Sequence, residues 1–552
     1  MSSSSEPAEI YVSPSDPVQE RQHRGPFFPP ALGTAESSRT FFDDIIPPEP
    51  VTAPVGSEKE EPADPFVVSF TDDDPENPLN WKRPYRWFLT ILAGVFVLNS
   101  TFASSAPSGI AADLQKEFSI SREVTTLVIS LFVGGYVIGP LLWGPLSEEY
   151  GRRPIFMVSF LVYLGFQIGM ALAPNTASLI VFRFLGGVFA SGPLTNSGAL
   201  ISDMWNVRDR GKALAVFVAA PFAGPSLGPM VSGFISVSGA SWRWLFWTLT
   251  IFAGVCLAVI VILIPETYKP IILVRKARRI RKETGDERYY APMEKTRKTM
   301  REQVENVLAR PFKMLAREPM LIACTVYMSF IYGCLYLLFE AYPVVFAQYH
   351  HFRAQSVGLT FLPILIGAAL AALVYVLVFD PMYQKEIDRY APHIVPAEKR
   401  LTMSLCHSSD RMKALPNVKL SSSTSFPHVT FWLPVMFGGL LGFSIMGLYL
   451  SFFNYIIDTY VSVAASALAA NTVCRSVFGA VFPLFATQMY ESMGARWASA
   501  LVGFVALLMV PIPFIFLKYG AMLRRKSRYA PFEDGPELER KESNRLEVGA
   551  GV

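Results

Sequence analysis

The sequence predicts an all-α polytopic membrane protein of two six-helix bundles, with one helix that its residues fail to supply. Three observations carry this. Of 552 residues, 51% are hydrophobic and 17% charged, more apolar surface than a single soluble core hides. The apolar residues stand in blocks of about twenty, the length at which a helix rising about 1.5 Å per residue crosses roughly 30 Å of hydrocarbon. Charge collects between these blocks instead of recurring every few residues, as it would on soluble helices or strands.

Residues 1–84 are rich in Ser, Pro, Asp and Glu and read as a disordered, solvated tail. The Met1 end has no apolar core, so it is no signal peptide and the first span directs insertion. Six blocks follow at about 85–106, 124–143, 155–173, 178–202, 213–236 and 243–264, forming an N-terminal bundle over 85–265. A basic loop over 266–318 leads to five more at about 320–341, 356–378, 430–453, 460–486 and 497–517, in a C-terminal bundle over 319–518. Residues 519–552 form a tail.

Lys and Arg near span ends are retained in the cytoplasm. One set of loops holds Arg152 and Arg153, then Arg208, Arg210 and Lys212, then the run from Arg275 to Lys282. The alternate set holds single residues such as Arg122, Arg243, Arg353 and Arg496. The amino terminus, the central loop and the basic C-terminal tail are therefore expected in the cytoplasm, which eleven spans cannot satisfy. Parity places the ninth span within 379–429, where Asp410, Arg411 and Lys413 would each cost roughly 2.5–3.5 kcal/mol near the centre of a lipid-facing helix. The expectation is a locally wrong translation or a real lesion at about 402–428.

Composition also excludes. Four of five cysteines (Cys256, Cys324, Cys334 and Cys474) fall in spans and read as small apolar side chains, and all six histidines sit in loops or tails. No metal site, cofactor, P-loop or pairing of nucleophile with base emerges, so no enzyme is expected, and any pumping must run on a gradient or a partner.

Two bundles joined by a long loop imply a substrate site at mid-membrane between them. The loop after the second block reads Gly144-Pro-Leu-Ser-Glu-Glu-Tyr-Gly-Arg-Arg-Pro154. Gly144 and Gly151 permit a tight turn and close helix approach, Glu148 can compensate a helix amino terminus, and Arg152 and Arg153 can pair with acids on neighbouring spans. The fifth block carries Gly224, Gly228 and Ser232 at every fourth residue, a small-residue packing stripe, with Pro225 and Pro229 each removing a backbone hydrogen bond.

Here the sequence resembles the major facilitator superfamily, whose signature between spans two and three is G-x-L-[SA]-D-x-x-G-R-[RK]-P, with Glu148 in place of the usual Asp. The fifth-block motif is similar to the one that marks antiporters in that superfamily. Asn77-Pro-Leu-Asn-Trp81, Pro193-Leu-Thr-Asn196, Asp203-Met-Trp205, Pro265-Glu-Thr-Tyr268 and Ser466-Ala-Leu-Ala-Ala-Asn-Thr472 extend the resemblance to the fungal twelve-span drug:proton antiporters. The resemblance implies a major facilitator fold and export of drugs, toxic compounds, polyamines or secondary metabolites in exchange for protons. It also implies a plasma-membrane location, with the vacuolar membrane as the rival, and a monomer that takes a small-molecule substrate, protons and lipid as partners, and no nucleic acid.

Intramembrane ions are costly unless partnered or facing a watery cavity. Arg183, early in the fourth block, resembles the superfamily's fourth-span arginine, and Glu340 lies late in the seventh block. Both are expected in the outer half of the membrane, where they could meet across the cavity, with Glu340 as proton carrier and Arg183 as its modulator. Tyr336, about one turn from Glu340, is the aromatic expected in the substrate pocket, and the tyrosines of this span suit amphipathic or cationic ligands. A static structural ion pair, or an interfacial position near the outer headgroups, is the other reading of Glu340. Arg475 in the eleventh block is assigned a structural role or a pairing with Glu148. A ligand sensor, a passive facilitator and a defective eleven-span protein remain open as alternatives to an exporter.

Overall fold

The computed structural model of the chain describes residues 64–295, 309–390, 395–401, 432–460, 463–527 and 529–530. Among these, regular structure is helical apart from an isolated bridge between Val67 and Tyr290. Ten helical stretches are long and apolar enough to cross a membrane. The last of them doubles back at Gly494 (φ 74°), which brings Tyr490 Oη to 3.1 Å from Ser499 Oγ. Nine residues of straight helix would hold their backbones about 13 Å apart. That stretch supplies two crossings, so the ten make eleven, at the eleven apolar blocks of the sequence.

The N-terminal half contains α1 (Arg83–Ser105), α2 (Arg122–Tyr150), α3 (Arg152–Ala171), α4 (Thr176–Met204), α5 (Val207–Val237) and α6 (Arg243–Leu263). An amphipathic helix, α7 (Lys269–Thr284), follows and ends at Gly285 in the left-handed region. The C-terminal half contains α8 (Pro319–Tyr342), α9 (Leu362–Val374) prolonged by α10 (Asp380–Tyr390), α11 (Trp432–Thr459), the doubled α12 (Ala464–Met509) and α13 (Pro511–Arg525).

Local chemistry sets the helix starts. Ser121 and Asn175 cap α2 and α4 by accepting the backbone N–H of Val124 and Ser178. Within each half the helices pair in the same way, α2 along α4 and α9 along α11. The closest approach expected of α5 is present: a Cβ on Gly224 would fall 2.1 Å from Thr101 Oγ1, and one on Gly228 2.1 Å from Ser105 Oγ. Any larger residue would push α5 off α1.

The halves meet where α2 runs along α12 and α5 runs along α9. We call the end bearing α7 the basic end. There Arg208 pairs with Asp388 (3.0 Å) and Lys212 with Asp380 (3.3 Å), both between halves, while Arg400 pairs with Asp458 (2.7 Å) and Arg524 with Glu398 (2.8 Å). At the far end Arg122 reaches Glu491 (2.7 Å), and Gly358 packs on the backbone of Pro229 and Met230.

Part of the segment read as a disordered tail is described. Residues 64–82 lie along α7: Val68 N–H bonds Tyr290 O, Asp74 pairs with Lys276, and Glu76 pairs with Arg279 at 2.8 Å. Leu401, beside the Arg400–Asp458 pair, and Trp432, six residues before Gly438 against Tyr342, lie at opposite ends of the bundle. The stretch at 402–428, where the sequence predicts the failed crossing, lies outside the described residues.

Candidate functional site

Glu340 is buried near the far end of α8 and lines a cavity of about 320 Å³ at the seam of the two halves. Ser108, Gln115, Arg122, Thr126 and Ile129 line it from the N-terminal half, and Phe339, Glu340, Gln348 and Phe361 from the other. The carboxylate bridges the halves. It accepts a hydrogen bond from Thr126 on α2 (3.2 Å) and one from Thr487 on α12 (3.1 Å), and Arg122 Nε lies 4.0 Å away. A buried carboxylate needs such partners, because an isolated buried charge is strongly disfavoured.

The expected meeting of Glu340 with Arg183 does not occur in this structure. Arg183 is fully buried and turns its guanidinium to the backbone, donating to Val128 O (2.7 Å), Ala103 O (2.9 Å) and Ser104 O (3.1 Å) with its centre 4.1 Å from the Phe132 ring centroid. The reason lies in α1. It ends at Ser105 and passes into a 3-10 turn over Ala106–Ile110, and the last carbonyls of a helix seek donors outside it. Arg122 takes the place beside Glu340. The sequence reading passed over it as a lone loop charge, although its position four residues before Thr126 sets the two on one helix face.

Tyr336 is buried one turn along α8 from Glu340 and is not among the residues that line the cavity. Its hydroxyl shares a 2.7 Å hydrogen bond with the Ser104 hydroxyl, and Tyr332 Oη lies 3.4 Å from it. Since Ser104 O is also an acceptor of Arg183, the two expected site residues are linked through Ser104 and Tyr336 without touching.

Arg475 does not pair with Glu148. The Glu148 side chain is exposed at the basic end, while Arg475 is buried on α12 against the rings of Tyr332 (4.8 Å) and Tyr449 (5.3 Å). Its Nε has no hydrogen-bond partner among the described residues.

The loop between α2 and α3 is anchored by two acids, one on a neighbouring span as expected for Arg152 and one that replaces Glu148. Arg152 pairs with Asp203 on α4 (3.2 Å), bonds Ser147 Oγ (2.5 Å) and lies 4.7 Å from the Tyr268 ring centroid. Glu266, not Glu148, compensates the start of α3: its Oε1 accepts the N–H groups of Arg152, Thr267 and Tyr268. Gly151 (φ 100°) is required, since a Cβ there would meet the Glu266 carboxylate at 2.3 Å. Gly144 is not a point of close approach, with the Thr195 methyl 3.9 Å from its virtual Cβ. Arg153 donates to the Val261 carbonyl (2.8 Å) instead of to an acid. Asp203 and Glu266 stood in sequence motifs without an assigned role. Among the described residues no cluster of His, Cys, Asp and Glu could hold a metal ion.

The family model of the Major Facilitator Superfamily matches residues 89–400. The chain is 40% identical, over 87% of its own length and 78% of the relative's, to the major facilitator superfamily multidrug transporter mdrA of Aspergillus fumigatus. It is 38% identical to the efflux pump FUBT of Fusarium oxysporum, over 93% and 84% of the two chains, and 37% identical to the multidrug transporter FLU1 of Candida albicans, over 86% and 79%. Among solved structures, the human organic anion transporter MFSD10 matches with a TM-score of 0.53 at 17% identity, over 80% of this chain and 99% of that one, a likeness of fold.

Proposed function

The chain belongs to the major facilitator superfamily, and from that premise we propose that it is a membrane efflux transporter that exchanges entering protons for small organic molecules, with Glu340 as the proton carrier. Efflux rests on the relatives, two of which bear the name multidrug transporter and one efflux pump. Proton coupling rests on one observation: a buried carboxylate at the seam, reached by the far-end cavity and held by one threonine from each half.

Ionised, Glu340 on α8 attracts Arg122 on α2 and draws the halves together at the far end. Protonated, it loses that attraction and leaves Arg122 with Glu491. A proton entering from the cavity therefore loosens one contact between the halves, and rocking of the halves carries the neutral acid toward the opposite face. The cross-half Arg208–Asp388 and Lys212–Asp380 pairs hold the basic end in the conformation seen here. The Lys and Arg concentration at that end supports a cytoplasmic setting for it; placement in a plasma membrane, as a monomer, rests on the family resemblance alone.

The test uses sealed membrane vesicles and whichever of a panel of fluorescent dyes, anionic and cationic, the wild-type chain exports. Glu340→Gln is expected to lose dye accumulation driven by an imposed pH gradient by at least about tenfold, while exchange of dye at equal pH persists. Accumulation by Glu340→Gln at the wild-type rate, indifferent to pH, would remove the proton role and leave a passive facilitator or another carrier group.

A further inference from the structure

Arg475 is the buried charge that this mechanism does not use. It lies in α12 at the junction of both halves. Tyr332 of α8 and Tyr449 of α11 face its guanidinium, Phe222 of α5 packs on Tyr449 at 5.3 Å, and a Cβ on Gly479, one turn along α12, would touch Tyr332 and Val133 of α2. The residue is 8% exposed, yet among the described residues it makes no ion pair and no hydrogen bond, and the ionisable groups that face it are the phenols of Tyr332, Tyr336 and Tyr136. Ring faces attract a cation, but they do not occupy a guanidinium's five N–H donors. An Arg held this way is under-satisfied, whereas the fully buried Arg183 has three carbonyl acceptors.

The unmet polarity continues along α8. Thr325, Ser329, Tyr332 and Tyr336 share one helix face by their spacing, and the hydroxyls of Thr325 and Ser329 are buried without a hydrogen-bond partner among the described residues. A cation of fixed fork geometry and flat aromatic walls thus lie together, with two spare hydroxyls further along the same face of α8 and no protein anion to complete the set.

We infer that Arg475, walled by Tyr332 and Tyr449, is the acceptor for the anionic group of an exported organic acid, a carboxylate on a compact apolar body. The inference rests on the efflux reading and names its substrate class. Two parallel N–H···O bonds from the guanidinium suit a carboxylate, and the tyrosine faces suit the body that carries it. This is the opposite sign from the cationic ligands that the aromatic content of α8 suggests by itself. A cationic substrate would have to enter beside a buried guanidinium with no carboxylate near it. Arg475 is only 8% exposed here, so an acid of this size reaches it when the halves part, which makes it a mid-membrane site open to alternate faces.

The test is an equilibrium one, on the full chain in lipid nanodiscs without a gradient, read as thermal unfolding by tryptophan fluorescence. The probes are benzoate, 1-naphthoate and decanoate, each against its own carboxamide. At least one carboxylate is expected to stabilise the wild type at a concentration about tenfold below that of its amide. Arg475→Met, of similar reach and uncharged, is expected to lose this preference and, with no ligand present, to unfold about 2–4 °C higher because an unpaired buried charge is gone. Arg475→Lys keeps the charge without the fork and should keep a weakened preference. If ligand-free Arg475→Met unfolds at a lower temperature than the wild type, Arg475 is a structural residue and the inference is wrong. It is equally wrong if no carboxylate outperforms its amide. Failure of the efflux reading shows separately, as absence of directional movement in vesicles while the carboxylate preference in nanodiscs persists.

Discussion

Arg183 and Arg475 are both buried inside the bundle, one in each half, and both lie within reach of the same tyrosines, yet their surroundings differ in kind. Each of the three guanidinium nitrogens of Arg183 donates to a carbonyl and a phenylalanine ring covers its face, so none of them is left without a partner. Arg475 has ring faces alone. Burial therefore does not separate a structural ion from a functional one. The count of satisfied donors does, and it reverses the roles that position along the sequence suggests for these two residues.

The largest effect that would break this comparison is at Arg183. Arg183→Ala would orphan acceptors at the end of α1 and open a cavity between α1, α2 and α4, a loss on the order of 4 kcal/mol. The protein is expected to leave the membrane in detergent as aggregate, seen by size-exclusion chromatography, and Arg183→Lys, lacking the planar fork, should rescue it only in part. A monodisperse Arg183→Ala with unaltered thermal stability would show that the three bonds contribute little, and the contrast with Arg475 would collapse.

Much of the fold is legible in the sequence because span length and freedom from charge are properties of a line. The eleven apolar blocks and the eleven crossings coincide, and the close approach at Gly224 and Gly228 follows from a four-residue spacing. The placement of Tyr336 one turn from Glu340 is equally one-dimensional. The partners of the charges are not. Arg183 turns to carbonyls that become free only because α1 stops at Ser105, and Glu266 reaches the start of α3 from more than a hundred residues away. The unmet donors of Arg475 are a property of what is missing around it in space, and no pattern in the chain records that.

Arg152 stands between the two extremes, with a carboxylate and a hydroxyl as partners at the basic end. Asp203→Asn keeps an acceptor for Arg152 but removes the countercharge, and is expected to weaken that anchor by about 1–2 kcal/mol. Both partners lie in the N-terminal half, so the loss lowers thermal stability and leaves the balance between the two halves to the cross-half pairs. A cysteine introduced at Ala467, buried on α12 between Asn471 and the basic end, should then be labelled by a membrane-impermeant thiol reagent at an unaltered rate, measured in a background without the native reactive thiols. Faster labelling would mean that the Arg152 anchor also holds the halves closed at that end.

The smallest effect is expected at Arg122, whose partners are the most exposed of the four arginines. Its shortest ion pair is with Glu491 (2.7 Å), a side chain 51% exposed, and solvent-screened pairs of this kind contribute about 0–1 kcal/mol. Glu491→Gln should therefore leave thermal stability nearly unchanged. It frees Arg122, however, to spend more time beside Glu340, only 4.0 Å away, and a guanidinium closer to a carboxylate favours its ionised form. Loading of Glu340 by protons then requires a more acidic far-side solution, so the pH at which gradient-driven efflux is half-maximal should move down in Glu491→Gln and up in Arg122→Gln. Opposite shifts from two substitutions with little effect on folding would separate electrostatic tuning from structural damage. No shift in either variant would instead place Arg122 with Arg183, as a residue that holds the fold and leaves the proton site untouched.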